Sequence, residues 1–173
     1  MTGTARAITR YGTPVLHQAT APVTEFGAEL RALVADMFAS MYAANGVGLA
    51  ANQIGVDARV FVMDCPDTEG GPNVVAHVVN PVLELPPPPR DLLVKAEGCL
   101  SVPGQSAELA RTAWAVVTGV DMHGEPVRLE GVGLIARCLQ HECDHLDGTV
   151  YVDRLTAKER KKVLDAAGLP APE

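Results

Sequence analysis

The sequence predicts an α+β fold: antiparallel β-strands packed around a central helix that carries H-E-x-x-H, with an amphipathic helix before the strands and a further helix at the C-terminal end. Three observations carry that expectation. Apolar residues recur at helical spacing from Phe26 to Tyr42, β-branched runs crowd the middle of the chain, and an apolar run from Leu134 leads directly into His141-Glu142-Cys143-Asp144-His145. At 173 residues a single domain spanning residues 1–173 is expected, large enough to bury its own core.

Composition narrows the function classes. Apolar residues make up 47% and charged residues 20%, as in an ordinary globular domain. A net charge of −7 gives no electrostatic attraction to nucleic acid or anionic lipid, so neutral or small substrates fit better. Residues 1–11 contain no apolar signal region and no run reaches spanning length, so a cytoplasmic protein without a membrane partner is expected. Cys65, Cys99, Cys138 and Cys143 show no C-x-x-C pair, which favours reduced thiols over disulfides.

The opening Gly12-Thr13-Pro14 reads as turn and extended chain, with Pro22 blocking an early helix. Phe26, Leu30, Leu33, Val34, Met37, Phe38, Met41 and Tyr42 then predict a core helix, capped by Thr24 and ended by Asn45-Gly46. Two β-rich runs follow at residues 59–63 and 74–79, separated by a loop at 67–72 and closed by Pro81; Pro86 to Pro89 form a stiff surface connector. Residues 114–117 and 126–130 read as a hairpin around Asp121-Met122-His123-Gly124-Glu125. Thr156 and Glu159 form a capping box that opens a last helix, stopped at Gly168-Leu169-Pro170. Its Lys158, Arg160, Lys161 and Lys162 read first as a solvated face. His17, His77 and His123 have no ligand-like partners nearby in sequence.

Chemistry concentrates in the helix with H-E-x-x-H. His141 and His145, four residues apart, rise from one helix face and can grip one cation. Glu142 lies about 100° round the helix, placed to reach a water at that cation as a general base. A chance match on an exposed helix is the bland alternative, and the apolar flank weighs against it. Before this helix, Gly46-Val47-Gly48-Leu49-Ala50-Ala51-Asn52-Gln53 leaves the backbone bare but fails as a phosphate cradle, lacking a third glycine and a following lysine. Gln53 could donate to an oxyanion, and a turn-stabilising amide fits equally.

A catalytic divalent site usually has three protein ligands. Cys143 points about 200° round the helix from His141, and Cys138, on the correct face, is too short to reach a metal about 6 Å above its helix. The metallopeptidase alternatives do not fit well: the position of a third histidine is Tyr151, and the downstream glutamates are only Glu159 and Glu173. Among upstream residues, Cys99, in a bend after Gly98, is the best thiolate.

Three blocks, G-V-G-L-A-A-N-Q at 46–53, E-G-C-L-S at 97–101 and Q-H-E-C-D-H-L-D-G at 140–148, together resemble the motifs of peptide deformylases in content, order and spacing. The resemblance implies a hydrolase that removes the N-formyl group from the initiator methionine of nascent polypeptides and releases formate. It implies Cys99, His141 and His145 as metal ligands, Glu142 as acid/base, and Gln53 with the backbone N–H of Leu100 as oxyanion donors. Val47, Gly48, Glu97, Gly98, Leu134 and Cys138 fall at substrate-contact positions. It also implies one divalent metal per chain, Fe2+ in the cell, with Zn2+, Ni2+ or Co2+ replacing it in purified protein. The partners implied are N-formylmethionyl peptides, and the basic last helix is a candidate ribosome contact. Two positions depart from the pattern: Ser106 where some members carry arginine, and Arg137 where an apolar residue is common beside the side-chain pocket. Three other readings remain: a metallopeptidase or other metal-dependent amidase using the same motif, a metal-free enzyme with Cys99 as nucleophile, and a closed structural zinc site with Glu97 as fourth ligand.

Overall fold

The computed structural model describes residues 2–67 and 71–170; part of the loop expected at 67–72, and Glu173, lie outside them. A short 3-10 turn, Pro14–His17, precedes helix α1 (Ala28–Ala43), strand β1 (Gly48–Ala50), a second 3-10 turn (Ala51–Ile54), β2 (Val60–Pro66) and β3 (Asn73–Glu84). After these come β4 (Leu92–Cys99), β5 (Val102–Thr112), β6 (Trp114–Val120), β7 (Pro126–Val132), α2 (Gly133–Leu146), a third 3-10 turn (Tyr151–Arg154) and α3 (Ala157–Ala167). Five strands form an antiparallel sheet in the order β1-β2-β3-β6-β7, and β4-β5 make a separate two-stranded ribbon. The fold is therefore α+β, with antiparallel sheets and three helices.

Two layers of packing position the site. Helix α2 lies on β1, β2, β3, β6 and β7, and its Ile135, Ala136, Leu139, Cys143 and Leu146 share one core with Phe61, Met63, Val78, Ala115 and Val117. Cys143 thus points into the core, as its angle on the helix requires. Helix α1 buries Leu30, Val34, Met37 and Met41, a row at spacings of three and four, against Leu49, Ile54, Val60 and Val62. Asn45, at φ 58, ends it in the left-handed conformation that asparagine tolerates.

Three expectations need correction. Phe26 lies before α1 and is exposed, and Gly27, not Thr24, occupies the N-cap. The cause is a clamp by Asn80, whose side chain accepts from Val23 N (2.8 Å) and donates to Val23 O (2.9 Å), fixing that segment to the sheet. Tyr42 faces solvent and donates its hydroxyl to Asp64 Oδ2 at 2.7 Å, so it is not a core position. Pro81 does not close its strand: β3 continues to Glu84 with a register shift between Val79 and Val82, where the missing N–H does least harm.

At the end of α2, Gly148 has φ +83, and a Cβ there would stand 2.7 Å from the backbone nitrogen of Gln18. Gly148→Ala is expected to cost at least about 2 kcal/mol, combining a left-handed L-residue with a backbone clash. A thermal melt falling by several degrees checks this; an unchanged melt would show that the two segments move apart without cost.

Candidate metal centre and active site

The β4-β5 hairpin bends at Leu100 and Ser101, and the last residue of β4 is Cys99. Helix α2 faces that bend with His141 and His145. The Cys99 Sγ lies 3.3 Å from His145 Nε2, which lies 3.1 Å from His141 Nε2, and the three donors all fall within 4.8 Å of one another. Donors sharing one tetrahedral ion at ordinary Zn–N and Zn–S bond lengths stand about 3.3–3.6 Å apart. The trio therefore fits a divalent cation after small adjustment, and one soft thiolate with two imidazoles suits Zn2+ or Fe2+.

The His141 imidazole is held from behind, whereas His145 Nδ1 is buried with no hydrogen-bond partner among the described residues. Glu97 Oε2 lies 2.8 Å from His141 Nδ1; an ionised Glu97 accepts the Nδ1 proton and leaves Nε2 free as a donor to a metal. Burial disfavours charge on Glu97, but hydrogen bonds to His141 and Arg111 outweigh it and hold the carboxyl well below its usual range. Arg111 Nε and Nη2 reach the two oxygens of Glu97 at 3.1 and 2.7 Å, and Arg111 Nη1 donates to Asp144 Oδ2 at 2.6 Å. Arg154 completes the chain with bonds of 2.6 and 2.7 Å to Asp144. Tyr151 stacks on the His141 ring at 6.4 Å between centroids.

Every residue named from the sequence as a ligand, acid/base, oxyanion donor or substrate contact, except the fully buried His145, lines one cavity of about 360 Å³. Val47 and Leu134 are partly exposed on its wall, and Gly98, Leu100 and Cys138 lie along it. Glu142 is buried, and its Oε2 has no hydrogen-bond partner among the described residues. Burial pushes its carboxyl up to about 7, against the pull of His141. An unpartnered carboxylate oxygen poised near neutrality suits proton transfer. The Gln53 side chain accepts from Ala50 N at 3.0 Å, and its Nε2 stands 3.1 Å from Ser101 Oγ and 3.5 Å from Cys99 Sγ, so the amide nitrogen is turned toward the converging donors.

Residues 5–161 match the sequence profile of the polypeptide deformylase family. The chain belongs to that family. It is 58% identical over 163 residues to peptide deformylase 1 of Streptomyces avermitilis, covering 94% of this chain and 75% of that one. With the peptide deformylase of Rhodococcus opacus the identity is 49% over 174 residues, covering 93% and 87%. Among solved structures, the peptide deformylase from Ehrlichia chaffeensis superposes with a TM-score of 0.87 at 30% identity over 95% of this chain and 96% of that one. The peptide deformylase from Synechococcus elongatus in complex with actinonin gives 0.83 at 37% identity, over 95% and 88%.

Within this deformylase fold the glycine of β1 has a steric task. A Cβ on Gly48 would meet Glu142 Oε1 at 2.6 Å and Cys138 Sγ at 3.0 Å. Gly48→Ala is expected to displace Glu142 and lower kcat/KM by about 100-fold, as misplacements near 1 Å do. Steady-state kinetics beside metal analysis check this; wild-type kcat/KM would show that the carboxylate is free to move. Arg111, Asp144, Ser101 and Tyr151 were not singled out from the sequence. Asp144 sits inside the H-E-x-x-H block, which is the one available signal; Arg111 lies in a mixed polar strand that does not set it apart.

Proposed function

We propose that this deformylase is a single-domain, metal-dependent hydrolase removing the N-formyl group from the initiator methionine of nascent polypeptides and releasing formate. The observation that carries the reading is the convergence of Cys99 Sγ with the Nε2 atoms of His141 and His145 beside the unpartnered carboxylate of Glu142. Cys99, His141 and His145 would hold the cation, and Fe2+ in the cell, replaceable by Zn2+, Ni2+ or Co2+, agrees with this donor set. Bound there, a divalent cation supplies Lewis acidity and makes water acidic near neutral pH.

The remaining roles belong to the chain. Val47, Leu134 and Cys138 enclose the methionine side chain, and the exposed backbone around Gly48 and Gly98 receives the peptide. Glu97, whose carboxylate is taken up by Arg111, Arg137 and His141, lines the pocket while orienting His141. Glu142 Oε2 accepts a proton from the attacking water and returns it to the leaving amine. The Gln53 amide and the Leu100 N–H donate to the oxyanion as it forms, each worth about 3 kcal/mol of barrier. Lys158, Arg160, Lys161 and Lys162 make α3 the basic element for a contact with the ribosome, and the enzyme works in the cytoplasm; no helix among the described residues is long and apolar enough to cross a membrane.

Formate release from a formyl-methionyl peptide by anaerobically prepared protein, with metal determined and a chelator arm, tests the reading. One metal per chain and chelator-sensitive release are expected. Turnover that survives complete metal removal would favour Cys99 as a nucleophile and overturn it.

A further inference from the structure

We propose that Arg137 is a positioning residue for the metal centre, tying the strand that delivers the Cys99 sulfur to the helix that delivers both imidazoles. The inference rests on the deformylase reading only in taking Cys99, His141 and His145 as ligands.

Arg137, His141 and His145 follow one another at intervals of four, so all three rise from one face of α2. The Arg137 side chain is 8% exposed, yet its side-chain hydrogen bonds among the described residues run to the β4-β5 ribbon. Nη1 donates to Glu97 Oε1 at 3.0 Å and to Leu109 O at 2.9 Å, and Nη2 donates to Leu93 O at 2.7 Å. One planar fork therefore spans both strands of the hairpin and the carboxylate that holds His141. Leu93 and Glu97 belong to β4, which ends in Cys99.

This tie matters because the ribbon is not hydrogen-bonded into the five-stranded sheet, and a two-stranded ribbon is marginal by itself. Its position against α2 rests on side chains. Gln140 exchanges bonds of 3.2 and 3.1 Å with the Thr112 backbone, and Asp144 accepts from Arg111 at 2.6 Å; both act on β5. On β4 the helix reaches Glu97 through Arg137 and His141, and reaches the strand's backbone through Arg137. Removing the fork leaves the ligand imidazoles as the direct side-chain bonds from α2 to the sulfur-bearing strand, the remaining ties passing indirectly through β5 by way of Gln140 and the Asp144–Arg111 pair. A lysine would keep the charge but not the three-point fork.

The test uses the full chain loaded anaerobically with Co2+, whose thiolate charge-transfer absorption reports sulfur ligation. Wild type, Arg137→Met and Arg137→Lys are compared for that band and for the rate of Co2+ release to excess chelator, with circular dichroism as the check on folding. Release 10- to 100-fold faster in Arg137→Met, with a weakened band and partial recovery in Arg137→Lys, is the expected result, in the range for loss of a group supporting a ligand. A folded Arg137→Met that keeps the band and the wild-type release rate overturns the proposal. Should the methionine variant not fold, wild-type release from Arg137→Lys overturns it equally. Co2+ retention is read without substrate, so failure to release formate would count against the deformylase reading alone.

Discussion

Glu142→Ala is expected to keep its metal and lower kcat by roughly three orders of magnitude or more, near the upper range for a positioned acid/base group. Metal retention follows from geometry, because the three donors that converge are Cys99, His141 and His145, and Glu142 is not among them. Loss of turnover follows because the Glu142 carboxylate is buried on the cavity wall with one oxygen free to take a proton. Glu142→Gln tightens the experiment: it preserves volume, removes the titratable oxygen and places an amide N–H in a buried site. Both variants should show KM changed far less than kcat, since the proton moves during the chemical step. Near-normal kcat in either, with metal present, would remove Glu142 from the mechanism. An empty site in Glu142→Ala would instead show that the carboxylate supports the ligands.

What the sequence reveals about this site divides by distance along the chain. His141, Glu142 and His145 are legible because helical periodicity alone places them. Cys99 emerges as the best available thiolate only after the local candidates fail, and its convergence with the helix is a long-range fact. The pairings that support the site are illegible for the same reason: Arg111 meets Asp144 across 33 positions, Gln53 meets Ser101 across 48, and Arg137 meets Glu97 across 40. Nothing in spacing or composition encodes such pairings. The strand pattern failed where a tertiary contact overrode it. Asn80 clamps Val23 and, at φ 52, opens the irregularity that lets β3 pass through Pro81. The β4-β5 ribbon lacks clean alternation because its outer face carries Leu92 and Val94, more than half exposed, while its inner face carries the charged Glu97 and Arg111.

Glu97→Gln is expected to destabilise the protein by about 3–5 kcal/mol at neutral pH, the range for breaking a buried ion pair from one side. The magnitude follows from what remains. Arg111 and Arg137, 4% and 8% exposed, would share a neutral amide in place of a carboxylate, with Asp144 left to balance Arg111. The sign of the pH dependence is fixed by the direction of the Glu97 shift. Its folded-state pKa lies below the ordinary 4.5, so its contribution is complete above about 4.5 and is lost as pH falls toward the folded value. Below pH 4.5 the stability gap between wild type and Glu97→Gln should therefore shrink as the Glu97 carboxylate takes up its proton. Denaturant melts of the apo proteins across that range measure it without metal linkage. A gap that is absent at pH 7, or that widens as pH falls below 4.5, would mean that the two arginines find other partners and that the carboxylate is not what anchors this network. The same substitution weakens the acceptor at His141 Nδ1, so metal affinity should fall along with stability. That pairing separates Glu97 from Glu142, whose loss is expected to stop turnover while leaving the metal bound.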